Sequence, residues 1–194
     1  MKKIILILLL FSPLSIFASD EKPRLAVIVS FDCPYCYEMS GYISFINRYL
    51  SNNGYKELII IPIVTNEKDK GIRESYFYAA DALNKETGKK VMRVLFNLGK
   101  NRVPISSGDD LADWMEIEYP KQKETWNRIA SKQGMSYGKV RLAKGINFAL
   151  KSGFLNTPGF VKVSREKLTN ITISDEKDMG LKIEKILQKF MEDN

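Results

Sequence analysis

The sequence predicts an α/β fold in which a helical block separates a β-α-β half from a β-β-α half. Three observations predict it. Apolar, β-branched runs at 25–31 and 58–64 flank a helical pattern, which is typical of two parallel strands joined by a crossover helix. Residues 66–151 show helical periodicity and lack strand character. Strand character returns at 160–163 and 171–173, ahead of a last amphipathic helix.

The first 18 residues are typical of a secretory signal peptide. Lys2 and Lys3 form a positive segment, residues 4–11 are uninterruptedly apolar, and Ala18 is small enough to precede a cleavage site. The alternative is a membrane anchor, but the apolar run is shorter than the roughly 20 residues that span a bilayer. We therefore expect cleavage and a periplasmic protein with one domain and an ample core.

The net charge of +7 falls to +5 once Lys2 and Lys3 are removed with the signal. The remaining basic residues are scattered along the chain, which is typical of a solvated surface. Because export also argues against DNA or RNA, we expect no nucleic-acid partner.

The β-α-β half begins with the apolar run at 25–31, which predicts a buried strand. In the helix that follows, apolar residues recur at three and four positions from Met39 to Leu50. Gly54 predicts the end of this helix, because glycine readily adopts the left-handed conformation of a C-cap. Pro62 lies inside the second strand and lacks a ladder N–H, so it is expected near a sheet edge or near the end of the strand.

The helical block and the second half follow. The block contains four helical segments, at 72–96, 109–118, 124–134 and 138–153. Glycines and a proline are expected to separate them, namely Gly88, Gly108, Pro120 and Gly134. The strands at 160–163 and 171–173 predict a hairpin, and Ser174 is the predicted N-cap of the last helix.

Cys33 and Cys36 are the two cysteines of the chain, and histidine is absent. A zinc site needs about four ligands, so these two would leave it half empty. A c-type haem needs histidine where this chain has Tyr37. A structural disulfide stays possible, although so short a loop contributes only about 2 kcal/mol. Redox chemistry is the main interpretation, with no metal or organic cofactor beyond a redox-active Cys33–Cys36 disulfide.

The position of Cys33 favours a reactive thiolate. Cys33 follows a predicted strand and begins a predicted helix, and Pro34 occupies the first helical position, where its missing N–H costs nothing. Free N–H groups and the helix dipole would lower the pKa of the Cys33 thiol. Cys36, one turn later, would resolve the mixed disulfide that Cys33 forms. We expect Cys33 and Cys36 to be the catalytic residues.

A second signal lies far along the chain, where Thr157 and Pro158 precede the strand at 160–163. Proline is allowed at the start of a strand, and on local grounds the Thr157–Pro158 bond can be trans or cis.

Together these segments resemble the thioredoxin fold, and the helical block is similar to that of the DsbA family of exported thiol-disulfide oxidoreductases. SFDCPYCYEM resembles the family's Phe-x-Cys-Pro-x-Cys motif, and NTPGFVKV resembles its cis-proline segment. The resemblance implies a thioredoxin-like domain at 19–65 and 152–194, with an inserted helical domain at 66–151.

The resemblance also implies roles for the second motif. Pro158 would be cis and would face Cys33 and Cys36, and the backbone of Thr157 would bind an extended substrate peptide as an added strand. Reduced or unfolded secreted proteins would be the substrates, and a DsbB-like membrane protein would reoxidise this chain, which would act as a monomer.

Three departures from the family concern redox tuning. Tyr35, after Pro34, replaces the usual histidine, and Asp32 places a negative charge directly before Cys33, which should raise its pKa. Both predict a weaker oxidant than is typical. Val27 stands where many relatives have a buried acid, and Glu38 is a possible substitute. The segment before the first strand is also too short for the family's usual extra strand.

The sequence thus predicts an exported protein disulfide oxidoreductase, most simply a dithiol oxidase. A reductase or isomerase is the second interpretation, because threonine before the proline is similar to disulfide isomerases. A non-catalytic peptide-binding chaperone and a glutathione-dependent enzyme on the same fold stay open as alternatives.

Overall fold

A computed structural model describes residues 22–65, 71–154, 156–165, 167–173 and 176–192. The strands are β1 (Arg24–Val29), β2 (Ile59–Pro62), β3 (Gly159–Val163) and β4 (Leu168–Ile171). The helices are α1 (Pro34–Ser40), α2 (Ile43–Asn52), α3 (Ile72–Leu83), α4 (Lys85–Lys100), α5 (Gly108–Glu118), α6 (Lys123–Ala130), α7 (Lys132–Ser152) and α8 (Met179–Glu192). The predicted signal peptide, 1–18, and the predicted N-cap Ser174 lie outside the described residues.

The four described strands form one sheet in the order β2-β1-β3-β4. β1 runs parallel to β2 and antiparallel to β3, and β4 pairs antiparallel with β3. Residues 25–29 of β1 are fully buried, because helices cover both faces of this central strand. Five helices, α3 to α7, lie between β2 and β3. The predicted fold class, two halves around a helical insertion, is confirmed.

Among the described strands, β2 pairs with β1 alone, so Pro62 does lie in an edge strand. The Ile63 N–H donates to the Val29 carbonyl at 2.9 Å. Along a parallel strand, every second residue directs its backbone N–H and carbonyl towards the neighbouring strand. Ile61, like Ile63, therefore directs these groups towards β1. Leu58, Ile60 and Pro62 direct theirs away from the sheet.

Side chains occupy two of the outward backbone groups, one at each end of β2. The Leu58 N–H donates to the Asn47 side-chain oxygen at 2.8 Å, and the Pro62 carbonyl accepts from the Tyr78 hydroxyl at 3.2 Å. Pro62 has no N–H to offer. Of the outward N–H groups of β2, only that of Ile60 is left for a further strand.

The helix predicted after the cysteines is two helices, because the chain bends at Gly41 and Tyr42 between α1 and α2. Four residues of the predicted apolar face are buried, namely Met39, Ile43, Ile46 and Leu50. The other two, Tyr42 and Tyr49, are partly buried. Gly54 has a φ of 72°, as predicted for the end of α2.

Three predicted boundaries in the helical block are wrong. Residues 72–96 form two helices, because Asn84 caps α4 by accepting a hydrogen bond from the Thr87 N–H at 2.8 Å. Gly88 does not interrupt α4. A Cβ at Gly88 would lie 2.8 Å from the Asp81 carboxylate, so glycine allows α3 and α4 to approach closely.

Gly134 likewise lies inside a helix. Ser131 caps α7 by accepting from the Gly134 N–H at 3.1 Å, so α7 begins at Lys132 rather than at 138. In the hairpin, β4 begins at Leu168, which pairs with Val163, so the strand starts earlier than the predicted 171–173.

The helical insertion packs directly on the end of β1. The ring of Phe31 is fully buried, with its centroid 5.9 Å from that of Phe77 on α3 and 5.0 Å from that of Phe96 on α4. Gly99, near the end of α4, lies against the Phe31 carbonyl so closely that an added Cβ would overlap its oxygen. The segment that leads into the cysteines is therefore held by the insertion.

We expect Gly99→Ala to destabilise the protein by about 1–3 kcal/mol, because the new methyl group must displace the backbone of Phe31. In an unconstrained helix the same change stabilises by roughly 1 kcal/mol, so the sign of the change in stability already distinguishes the two cases. Urea unfolding measures the free energy of unfolding of each variant. Gly41→Ala is the matched control, because Gly41 has a helical φ of −63° and its added Cβ would stay 3.3 Å from its nearest neighbour. A Gly99→Ala protein as stable as the parent would contradict the expected overlap.

Candidate active site

Cys33 is the N-cap of α1. Its backbone is extended, with φ −85° and ψ 118°, and its sulfur accepts a hydrogen bond from the Cys36 N–H at 3.4 Å. Pro34 occupies the first turn of α1, where a missing N–H costs nothing. Cys33 is half-buried and Cys36 is fully buried, and both are free thiols. Tyr35, between them, is 65% exposed.

The fold brings the second motif to the first across 124 positions of sequence. The Cys33 thiol lies 3.3 Å from the Thr157 carbonyl oxygen. The Thr157–Pro158 peptide bond is cis. Antiparallel pairing of β3 with β1 explains the encounter, because it places the start of β3 beside the end of β1, just ahead of Cys33.

The pKa of the Cys33 thiol is lowered to about 5. The largest cause is the hydrogen bond from the Cys36 thiol, and burial of the sulfur opposes it. The Thr157 side chain and the backbone N–H groups of Cys36 and Tyr35 lower the pKa further. A thiolate gains more from such donors than a neutral thiol does, so Cys33 is charged at neutral pH.

The pKa of Cys36 is raised above its usual value. The hydrogen bond that its thiol donates to Cys33 is the first cause, and burial is the second. The two thiols therefore have distinct characters: Cys33 is an accessible thiolate and Cys36 is a buried, protonated thiol.

The charge of Asp32 is paired rather than isolated. Its carboxylate forms an ion pair with Arg73, which is buried on the first turn of α3. The main causes of the lowered Cys33 pKa are hydrogen bonds from Cys36, Thr157 and Tyr35. That Asp32 raises the pKa of Cys33 stays a prediction, and the guanidinium of Arg73 is placed to offset the carboxylate charge.

Sequence reasoning missed Arg73, which lies 41 positions from Asp32. Its guanidinium also donates to the Val103 carbonyl at 2.6 Å. The available signal was an arginine at the start of an otherwise apolar helical pattern, where a cation opposes the helix dipole.

Neither of the two positions considered for a buried acid places a carboxylate beside Cys36. Val27 is fully buried in the middle of β1. Glu38 is exposed on α1, whereas Cys36 is buried. Residues two apart on a helix do not face each other, so Glu38 does not substitute as an acid beside the Cys36 thiol.

A groove of about 1200 Å³ runs beside β2, α4 and α7. Tyr37 and Glu38 line it, but neither cysteine nor Thr157 does, so the groove is separate from the redox chemistry. Within the described ranges, no helix is both long and apolar enough to cross a membrane.

No protein-family model matches the sequence, and a search of curated proteins gives no match. Solved structures do match over most of the chain. The fold is that of DsbA. A candidate protein disulfide isomerase from Nitrosomonas europaea superposes with a TM-score of 0.68 at 14% identity, covering 90% of this chain and 100% of that one.

Two DsbA structures show the same likeness. The oxidoreductase DsbA1 from Neisseria meningitidis gives a TM-score of 0.63 at 12% identity, covering 91% of this chain and 87% of that chain. A Proteus DsbA, solved with a non-covalently bound peptide, gives 0.59 at 17% identity, covering 87% and 89%. At such identities the likeness establishes the fold, and the chemistry must be argued from the site.

We expect the ultraviolet thiolate absorbance of the reduced protein to titrate with a midpoint near pH 5. Cys36→Ala should raise this midpoint most, because it removes the strongest donor to Cys33, and Thr157→Val should raise it less. Circular dichroism of each variant controls for folding. Equal midpoints in all three proteins would contradict the assigned causes.

The same shift predicts a pH dependence of stability. A depressed thiol pKa contributes stability that is complete above the unfolded value of about 8.5 and is lost as pH falls through about 5. The raised pKa of Cys36 contributes its stability below the unfolded value, so it does not change in this window. The melting temperature of the reduced protein, minus that of the oxidised protein, should therefore rise from pH 5 to pH 8. A flat difference would count against the lowered pKa.

Proposed function

We propose that this protein is an exported thiol-disulfide oxidoreductase that oxidises cysteine pairs in secreted proteins through Cys33 and Cys36. The observation that carries the proposal is the convergence of donors on the Cys33 sulfur, with the Cys36 thiol buried behind it. A structural disulfide needs no stabilised thiolate. A dithiol oxidase does, because a stable reduced form makes its disulfide a strong oxidant.

The proposed reaction begins with a substrate thiolate attacking the Cys33 sulfur of the Cys33–Cys36 disulfide. An S–S bond forms between substrate and Cys33, and Cys36 leaves as a thiolate that takes up a proton. A second substrate thiolate then attacks the substrate sulfur of the mixed disulfide, and Cys33 leaves as a stabilised thiolate. The substrate loses two electrons, which the protein retains as a dithiol.

Attack falls on Cys33 rather than on Cys36 because of exposure and leaving-group character. The Cys33 sulfur is half-buried and reachable, whereas Cys36 is fully buried. In the last step Cys33, with a pKa of about 5, is the better leaving group. These two properties set the direction of each exchange.

The substrate is proposed to be an extended, reduced or unfolded secreted polypeptide. Thr157 lies beside Cys33, ahead of β3, where its backbone would bind an added strand. That a Proteus DsbA has been solved with a non-covalently bound peptide supports a polypeptide as the substrate. We further propose a periplasmic monomer without a metal or organic cofactor or a nucleic-acid partner. A DsbB-like membrane protein would reoxidise it.

The direction of electron flow rests on the Cys33 pKa. A value of about 5 lies between those of about 7 in thioredoxin and about 3.5 in DsbA. We therefore propose an oxidase of intermediate strength, with Tyr35 in place of the usual histidine as the contributing change. An isomerase or reductase is the second candidate, favoured by the likeness to the candidate disulfide isomerase.

The reduction potential of the Cys33–Cys36 pair, measured in glutathione buffers, tests the direction. A value towards about −120 mV is expected for an oxidase, whereas a value near about −270 mV would make the protein a reductase.

Two variants test the chemistry itself. Cys33→Ser should abolish oxidation of a reduced, unfolded protein. Cys36→Ser should instead be mixed with a disulfide-bonded, unfolded protein: its Cys33 thiolate attacks the substrate disulfide, one substrate cysteine leaves as a thiolate, and the mixed disulfide should accumulate because the resolving thiol is gone. Non-reducing electrophoresis detects the adduct. A Cys33→Ser protein that still suppresses aggregation of unfolded chains as well as the parent does would instead support a chaperone.

A further inference from the structure

Arg73 occupies an unfavourable position for a cation. It lies in the first turn of α3, where the helix dipole favours acids, and it is only 3% exposed. Burying a guanidinium is costly unless it is paired and hydrogen-bonded. Such a residue therefore needs specific partners.

Two partners of Arg73 come from different segments of the chain. The Asp32 carboxylate, which is 29% exposed, forms the ion pair, and the Val103 carbonyl accepts from the second guanidinium nitrogen at 2.6 Å. The Val103 carbonyl is itself placed, because the Val103 N–H donates to the Leu98 carbonyl at 2.9 Å. Arg73 thereby joins the loop before Cys33 to α3 and to the segment after α4.

We propose that Arg73 is a positioning residue that cancels the charge of Asp32 beside Cys33 and so keeps the reduced pair stable, an inference that rests on the proposed function for its role in exchange. The carboxylate immediately precedes the reactive cysteine, and without a cation it would disfavour a second negative charge there. Arg73 acts on Cys33 through Asp32.

Other charged groups around the loop do not take this role. On α1, Glu38 is exposed. At the end of α4, Lys100 lies over the ring of Tyr37, with its Nζ 4.3 Å from the ring centroid. Glu74, next to Arg73 on α3, is buried. Of these groups, Arg73 is the cation that contacts Asp32.

The test compares Arg73→Met with the double variant Asp32→Asn/Arg73→Met. Methionine keeps the buried stem and removes the charge, and Asp32 can hydrate because it is partly exposed. In Arg73→Met the thiolate midpoint of Cys33 should rise by about one unit, a tenfold change. The reduction potential should become more negative by about 30 mV, the equivalent of that tenfold change. The double variant should return both quantities towards the parent values.

Two controls make the outcome specific. Arg93→Met removes an exposed cation of α4 and should change neither quantity. Added salt should reduce the shift in Arg73→Met, because the Asp32 charge is partly exposed to solvent. A merely structural role would alter unfolding but would give neither rescue by Asp32→Asn nor a salt-dependent midpoint.

The outcomes separate this inference from the proposed function. A folded Arg73→Met protein that titrates like the parent, or a double variant that keeps the shift, would overturn the role of Arg73. If Arg73→Met does not fold, Arg73→Lys decides: it keeps the positive charge, so the midpoint should stay near the parent value, and a raised midpoint in a folded Arg73→Lys protein overturns the proposal. If the midpoints move as expected but the parent protein exchanges no disulfides with proteins, the proposed function fails and the inference stands.

Discussion

The hydrogen bonds that converge on the Cys33 sulfur are the constraint on which the site depends. One comes from the backbone of the turn that begins α1, one from the Cys36 thiol, and one from the side chain of Thr157, a residue 124 positions away whose carbonyl lies 3.3 Å from the same sulfur. No local segment can supply all three. The sheet has to place the start of β3 next to the end of β1, so the chemistry of one sulfur depends on the pairing of the two halves.

The helical insertion contributes more than bulk. Phe31 is packed between rings of α3 and α4, Gly99 lies against its carbonyl, and Arg73 reaches Asp32 from the start of α3. The residues on either side of the strand end are thus fixed by helices that carry no cysteine. Because these contacts already fix the loop before Cys33, little further conformational entropy is lost when the loop adopts the conformation that the thiolate requires.

Prediction from the sequence succeeded where the signal was local. The run at 25–31, the CPYC segment and Pro62 each carry their meaning in a few residues, and the fold class and the edge strand followed from them. It failed where a partner decides. Asp32 looked like an isolated charge because Arg73 is far away in sequence. Gly88 looked like a break because the Asp81 it packs against was not visible.

The boundary errors have a similar origin. Asn84 and Ser131 act as N-caps of α4 and α7 in the structure, but in the sequence nothing distinguishes them from other polar residues. Helical periodicity continues across both positions, so the pattern alone could not divide the segments. Capping by one side chain outweighs periodicity at these two points.

The outward side of β2 has a consequence for a protein proposed to handle unfolded chains. Extended polypeptides pair readily with an open sheet edge, and such pairing starts aggregation. At the β2 edge the Asn47 amide occupies the Leu58 N–H, the Tyr78 hydroxyl occupies the Pro62 carbonyl, and Pro62 has no N–H. This edge therefore offers an extended client few backbone groups to pair with, which lowers the chance that a client starts to aggregate there.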